Sequence, residues 1–250
     1  MKRTIWLIVF GVLVFAGFVV ARLPASWVLP GPQSGMTCTD ADGTIWNGTC
    51  SGLVVQQQPV GDLSWEVHAM RLLAGKINVD IVVTRPTGSA RGNVETGFDK
   101  KITARDIEAD LPLDRELTAG LPPNFRDLRG KLHAQIAYLR VEGQAIKAIE
   151  GVVEAHDLTD GQGAGAKPWG SYSVTFPPPT AGAPLGQLKD LGGGPLAVEG
   201  TLKLTPEPGI DLEGLVAARP SAPADLVADL RYLGSPDAQG RRPFSVATTF

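Results

Sequence analysis

The sequence predicts a mainly β protein, an antiparallel meander preceded by a single transmembrane helix. Three observations lead there: short segments in which apolar and polar residues alternate, turn signals every ten to fifteen residues, and one uncharged apolar run near the amino end. Glycine (30) and proline (20) exceed ordinary usage, yet together they stay below the level that marks disorder. Many short strands joined by turns have this balance. With 250 residues the chain is long enough for one or two domains with a real core. Net charge is only -3 and is spread in short alternations, so no basic run suits nucleic acid.

The apolar run covers residues 5–21, IWLIVFGVLVFAGFVVA, with Lys2 and Arg3 before it and Arg22 after it. As a helix it is roughly 25 Å long, a little short of a hydrocarbon core of about 30 Å. Trp6 and Trp27 suit the two membrane interfaces. The heavier basic flank keeps residues 1–4 cytoplasmic and sends the rest across. A cleaved signal peptide is the alternative, with Val19-x-Ala21 as a weak cleavage pattern, but the run is long for a signal core and A-x-A is absent. A buried core helix would show an amphipathic stripe, and none is present.

Residues 22–36, with Pro24, Pro30 and Pro32, read as an exit linker, and residues 37–250 as one β-rich body. Cys38 and Cys50, the only cysteines, both follow the apolar run. In an oxidising compartment they would pair and close a short loop. Zinc needs more ligands and no histidine is near, while a redox pair favours C-x-x-C spacing. Two free thiols are the alternative.

In residues 76–83, Ile77, Val79, Ile81 and Val83 alternate with Lys76, Asn78 and Asp80. Leu196, Val198, Leu202 and Leu204 repeat the pattern, and a turn through Thr205, Pro206 and Gly209 leads to Ile210, Leu212 and Val216, an antiparallel hairpin. In residues 101–111 the apolar face slips by one residue at Arg105 and Asp106, which suits a β-bulge. Leu132, Ala134, Ile136 and Tyr138 give another strand, followed by strands over 145–158 and 170–176 with a loop at 161–165 between them. Short helices are expected within 112–120 and over 224–233, the latter capped by Gly234 in the left-handed region. This spacing fits a curved sheet, a sandwich or an open groove.

No constellation carries catalysis. His68, His133 and His156 lie far apart, and serine-nucleophile, P-loop and dinucleotide motifs are absent. Gly192, Gly193 and Gly194 precede a strand and read as a turn. Asp106, Glu108 and Asp110 share a strand face by period two and read as a solvated face. Two runs stand out: Gly43-Thr44-Ile45-Trp46-Asn47-Gly48, inside the cysteine loop, and Leu63-Ser64-Trp65 with Leu72-Leu73-Ala74-Gly75-Lys76 after it. Trp46 and Trp65 are either core anchors or an aromatic surface for a partner.

Taken in order, the residues after the apolar run resemble the general secretion pathway protein N family of the type II secretion system. They are Leu23-Pro24-Ala25-Ser26-Trp27, the Gly43 to Gly48 block, Gly61-Asp62-Leu63-Ser64-Trp65, the Leu72 to Lys76 run, Asp190 to Gly194, and Leu233-Gly234 with Gly240-Arg241. The resemblance implies a single-pass protein of the bacterial inner membrane with a periplasmic domain. Such a protein serves the export of folded proteins from the periplasm, with no enzymatic activity and no cofactor. Its partners would be other inner-membrane components of that system and, through the helix, the lipid bilayer. The cysteine pair is not part of the resemblance. A second function class, an anchored β-groove resembling AsmA-like envelope proteins with a lipid ligand, requires an open and continuously apolar face. A periplasmic enzyme would need convergent polar residues that the sequence does not offer.

Overall fold

A computed structural model of the chain describes residues 2–27, 35–55, 58–99, 101–118, 127–161, 166–180, 182–205 and 209–249, without the side chains of 2–5, 7–9, 13, 116, 117, 248 and 249. It falls into two compact units, 1–86 and 87–250.

The first unit opens with α1 (Lys2–Ala21), a 20-residue helix. Trp6, Phe10, Phe15 and Phe18 on it are all exposed, so its described side chains form no protein-facing stripe. Among the described residues no helix is long and apolar enough to cross a membrane. The expectation of a crossing therefore stays with the sequence of 5–21, part of whose side chains lie outside the description. A 3₁₀ turn (Ala25–Trp27) follows, then β1 (Met36–Thr37), β2 (Asp40–Gly43), β3 (Asn47–Val55), β4 (Gln58–Val67), α2 (Ala69–Leu72) and β5 (Lys76–Arg85). β1 and β2 each pair with β3, and β3, β4 and β5 pair in turn, all antiparallel.

Cross-strand register explains the core of this unit. Gly48, Trp65 and Ile81 stand opposite one another, as do Cys50, Leu63 and Val83. The expected inward set of β5 therefore holds at Val79, Ile81 and Val83, but the start of the strand inverts. Ile77 is 48% exposed and Asn78 only 7%. The cause is α2, which folds over the opening of β5 with His68 N donating to Asn78 O at 2.9 Å.

The second unit holds β6 (Gly88–Gly97), β7 (Lys101–Leu113), α3 (Arg115–Thr118), β8 (Leu128–Glu142), β9 (Ala145–Asp160), β10 (Lys167–Phe176), β11 (Leu185–Asp190), β12 (Leu196–Leu204), β13 (Gly209–Ala218), α4 (Ala224–Asp229) and β14 (Arg242–Thr249). From β6 to β14 each strand pairs with the next in chain order, and the path does not close. The arrangement left undecided by the sequence is thus an open antiparallel sheet. Its buried residues are mostly small, Ala104, Ala109, Ala134, Ala145 and Ala148, beside Ile149, Phe176, Leu196 and Val216. A single sheet covers its surface with neighbouring side chains, and alanine is the residue such a layer hides most readily.

The bulge expected at Arg105 and Asp106 is present. The register between β6 and β7 shifts between Arg91 and Asn93, and Asp106 takes φ 50°. A second bulge, at Asp157 (φ 52°), shifts β9 against β8. The predicted hairpin forms, with Leu196 opposite Ala218 and Leu204 opposite Ile210. Residues 206–208 of its turn and 162–165 of the predicted loop lie outside the described residues. At the carboxyl end the helix differs from expectation. α4 passes into a 3₁₀ turn (Leu230–Tyr232), and Leu233 is extended (φ -77°, ψ 150°). Gly234 provides no left-handed cap. The Arg242 guanidinium instead ties down the segment just past the turn, donating to Leu233 O (3.2 Å) and Gly234 O (2.8 Å).

Candidate functional site

The end of α1 is built into the sheet of its own unit. A helix leaves its last carbonyls without internal partners. Here the indole Nε1 of Trp46 donates to Val20 O at 2.9 Å. The turn that presents Trp46 is held by Thr44, whose N donates to Asn47 O (2.8 Å) and whose Oγ1 accepts from the backbone N of Trp46 (3.3 Å) and of Asn47 (3.2 Å). Ile45 N donates to Leu23 O (3.0 Å), and Pro24 bridges to Thr44. Ala25 is only 1% exposed. The first part of the expected linker is therefore docked, while residues 28–34 lie outside the described residues.

Trp65 secures the same turn from β4. Its Nε1 donates to Ile45 O at 3.3 Å, and its ring lies against Gly48, where a Cβ would stand 2.5 Å from Trp65 Cζ2. Glycine at 48 is what lets the indole reach the strand. Both tryptophans are half-buried, and both indole N–H groups bond to backbone within the unit. Next to this joint Cys38 and Cys50 form a disulfide with Cα atoms 5.6 Å apart, and Cys50 is fully buried. By constraining the unfolded chain, a loop of this length contributes about 2–3 kcal/mol.

The second unit offers a surface that strand-by-strand reading cannot assemble. Following register across all nine strands, Ala90, Ala109, Ala134, Val153 and Val174 stand opposite one another, and the row continues through Leu188, Gly200, Gly214 and Phe244. Every member is apolar or glycine. The neighbouring row runs Arg91, Glu108, Gln135, Val152 and Thr175, then Gln187, Thr201, Glu213 and Ser245, and it is polar but for Val152. Adjacent rows point to opposite faces. Along this row one side of the sheet is thus apolar from β6 to β14, and along the next the other side is polar, while Asp190 and Arg242 border the apolar row. Val153, Val174, Leu188 and Phe244 are only half-buried, so among the described residues no second layer covers them. An open depression of about 830 Å³ lies on β11 to β14, lined by residues of both rows, among them Gln187, Leu188, Thr201, Glu213, Phe244 and Ser245.

Of the histidines singled out from the sequence, two have neighbouring carboxylate partners and the third stands apart. His68 pairs with Asp80 (2.6 Å) in the first unit, while in the second His133 pairs with Asp110 (2.5 Å) and His156 with Glu154 (2.9 Å) side by side, His133 standing opposite both Asp110 and Glu154. Glu108 faces Arg91 across the strands and Asp106 sits at the bulge, so the three carboxylates of β7 have separate surroundings. Among the described residues no three histidines, cysteines or carboxylates gather as metal ligands.

The clearest polar cluster is one the sequence did not single out as chemistry. Asp190 Oδ1 accepts from the Arg219 guanidinium and from Gly192 N (3.0 Å), and its Oδ2 accepts from Val198 N (3.1 Å). Arg219 also donates to Leu196 O (2.7 Å) and Gly194 O (3.2 Å). Burial favours the protonated carboxyl, but Arg219 and the two backbone donors outweigh it and hold the Asp190 pKa below its ordinary value. Beside it the Tyr172 hydroxyl is pushed up to about 12, by burial first and then by the Asp190 charge, and it donates to Trp169 O at 2.5 Å. Every group in the cluster is satisfied, so it is a clasp rather than a reactive centre.

Comparison with known proteins decides the family. The sequence profile of the family described as type II secretion system (T2SS), protein N, matches residues 34–245. The chain belongs to the type II secretion system protein N family. It is 27% identical over 236 residues to type II secretion system protein N of Vibrio cholerae, covering 91% of each chain. To the protein of the same name from Aeromonas hydrophila it is 24% identical over 261 residues, covering 97% of each. No solved structure matches it.

As a protein N family member the chain is a component of the type II secretion system, and its family-like motifs have structural reasons. The Gly43 to Gly48 block and Trp65 make the joint with α1, and Asp190 to Gly194 makes the clasp. Gly240 and Arg241 close a turn in which Asp237 accepts from the backbone N of Gln239 and Arg241, while Arg241 also reaches Glu199.

Proposed function

We propose that this protein N family member is a non-enzymatic component of the secretion machine, held in the bacterial inner membrane by residues 5–21. Residues 1–4 then lie in the cytoplasm and the body from residue 37 in the periplasm. It acts in export of folded proteins by contact with other inner-membrane components of the system. The observation that carries this reading is the two-faced sheet. An apolar row that crosses nine strands and is only half-buried at Val153, Val174, Leu188 and Phe244 is a surface made to be covered by a partner. Trp46 and Trp65 serve the joint with α1.

The test is a deletion strain complemented with tagged chain, scored for secretion and for cross-links to identified inner-membrane secretion components. Leu188→Glu places a charge in the apolar row and is expected to reduce both several-fold. Gln187→Glu, one residue away on the polar face, is expected to leave both near wild type. Equal behaviour of the two variants would remove the apolar row from the interaction.

One observation favours a second reading, the lipid-handling module. The sheet is open and the row is continuous, which is what a groove for acyl chains requires. Native mass spectrometry of the chain released from nanodiscs separates the two. Lipid retained by wild type and lost in Leu188→Glu supports the groove, and absence of lipid from both supports the protein surface.

A further inference from the structure

We infer that the α2 loop, through Met70 and Leu73, rests in the lipid headgroup layer beside the exit of α1, giving the sheet of the first unit a second contact with the bilayer. The inference builds on the reading of α1 as the anchor. Met70 is 79% exposed and Leu73 84%, and Trp27, just after α1, is 76% exposed. Scattered exposed apolar residues are ordinary on protein surfaces. What sets these apart is where the hydrogen bonds place them.

Two bonds tie the loop to the helix end. Val20 O accepts from Trp46 Nε1 (2.9 Å), and Trp46 O accepts from Val67 N (2.7 Å). Val67 ends β4 and α2 begins two residues later, so Met70 lies within about 11 Å of Val67 by chain reach. The length of the anchor then sets the depth. A span of roughly 25 Å against a core of about 30 Å brings its outer end no further than the edge of the hydrocarbon, and the docked joint is drawn against the surface with it. Trp27 and Trp46 are the side chains that interfaces favour. The loop has matching chemistry: Met70 and Leu73 flank Arg71, an apolar and cationic mixture suited to phospholipid headgroups, and the nearby Asp80 is engaged by His68. The partner is accordingly the bilayer that α1 crosses.

The test uses the full chain reconstituted in vesicles of phosphatidylethanolamine and phosphatidylglycerol, with a nitroxide on one introduced cysteine; the disulfide leaves no other thiol. Leu73→Cys is compared with Val14→Cys in α1 and Glu213→Cys on the polar face of the second unit. The readout is collision with oxygen, which partitions into lipid, against collision with a water-soluble nickel complex. The ratio at 73 is expected to exceed that at 213 several-fold and to lie below that at 14, as a place in the headgroup layer requires. A ratio at 73 equal to that at 213, with 14 lipid-exposed, overturns the inference while the anchor stands, and leaves the loop to a protein partner. If 14 also matches 213, the anchor reading fails and the inference with it.

Discussion

Asp190→Ala is expected to lower the stability of the second unit by about 2–4 kcal/mol, measured by urea unfolding of the full chain in detergent. The side chain is only 16% exposed and Arg219 30%. Removing the carboxylate therefore leaves a largely screened-off guanidinium and two backbone N–H groups, of Gly192 and Val198, without their acceptor. The loss should appear first as faster hydrogen exchange in β11 and β12, whose connecting turn the clasp closes. Arg219→Ala should cost a similar amount, since it strands Asp190 in its place. The clasp also has a pH signature. Because the folded pKa of Asp190 is depressed, its contribution is complete above the unfolded value near 4 and is lost as pH falls through the lower folded value. Acid unfolding of Asp190→Asn should accordingly be shallower than that of wild type over that window. Wild-type stability in Asp190→Ala would show that the pair contributes nothing to the turn.

Val14→Arg is expected to abolish membrane fractionation and, with it, secretion in the complemented deletion strain. Val14 lies near the middle of residues 5–21 and its side chain is 55% exposed, so among the described residues no protein group shields a charge placed there. An arginine at the centre of a spanning helix costs about 3 kcal/mol on insertion scales, against a small gain for valine. The swing corresponds to roughly a hundredfold or more in insertion equilibrium. Val14→Leu should behave as wild type. Retention of the arginine variant in the membrane fraction, with secretion intact, would mean that α1 does not reside in lipid.

The strands that the sequence revealed are those in which apolar residues keep period two over several turns, such as Leu196 to Leu204 and the inward set of β5 from Val79. The bulge at Asp106 was legible because it displaced a row of apolar residues by one. β6 was not, since Ala90 and Val94 are nearly its only apolar members and its pairing partner determines its structure. Glycine conceals the apolar row in the same manner. Gly200 and Gly214 stand opposite each other with Cα atoms so close that a Cβ on Gly214 would lie 2.9 Å from Gly200 Cα, and neither adds a hydrophobic signal to its strand. Nor does alternation tell which faces of successive strands align, and that alignment is what turns nine unremarkable segments into a continuous apolar side. The joint at Trp46 was visible only as a β-prone run near glycines, because its bond to Val20 spans 26 positions, and the Asp190 to Arg219 pair spans 29. Distances along the chain of that size leave no local mark.

Membrane sidedness is tested most directly by fusing alkaline phosphatase, which folds into active enzyme only outside the cytoplasm, after Phe250. High phosphatase activity is expected in whole cells, with the fusion retained in the membrane fraction. A fusion that stays inactive, while a fluorescent reporter at the same position lights up in the cytosol, would contradict that sidedness.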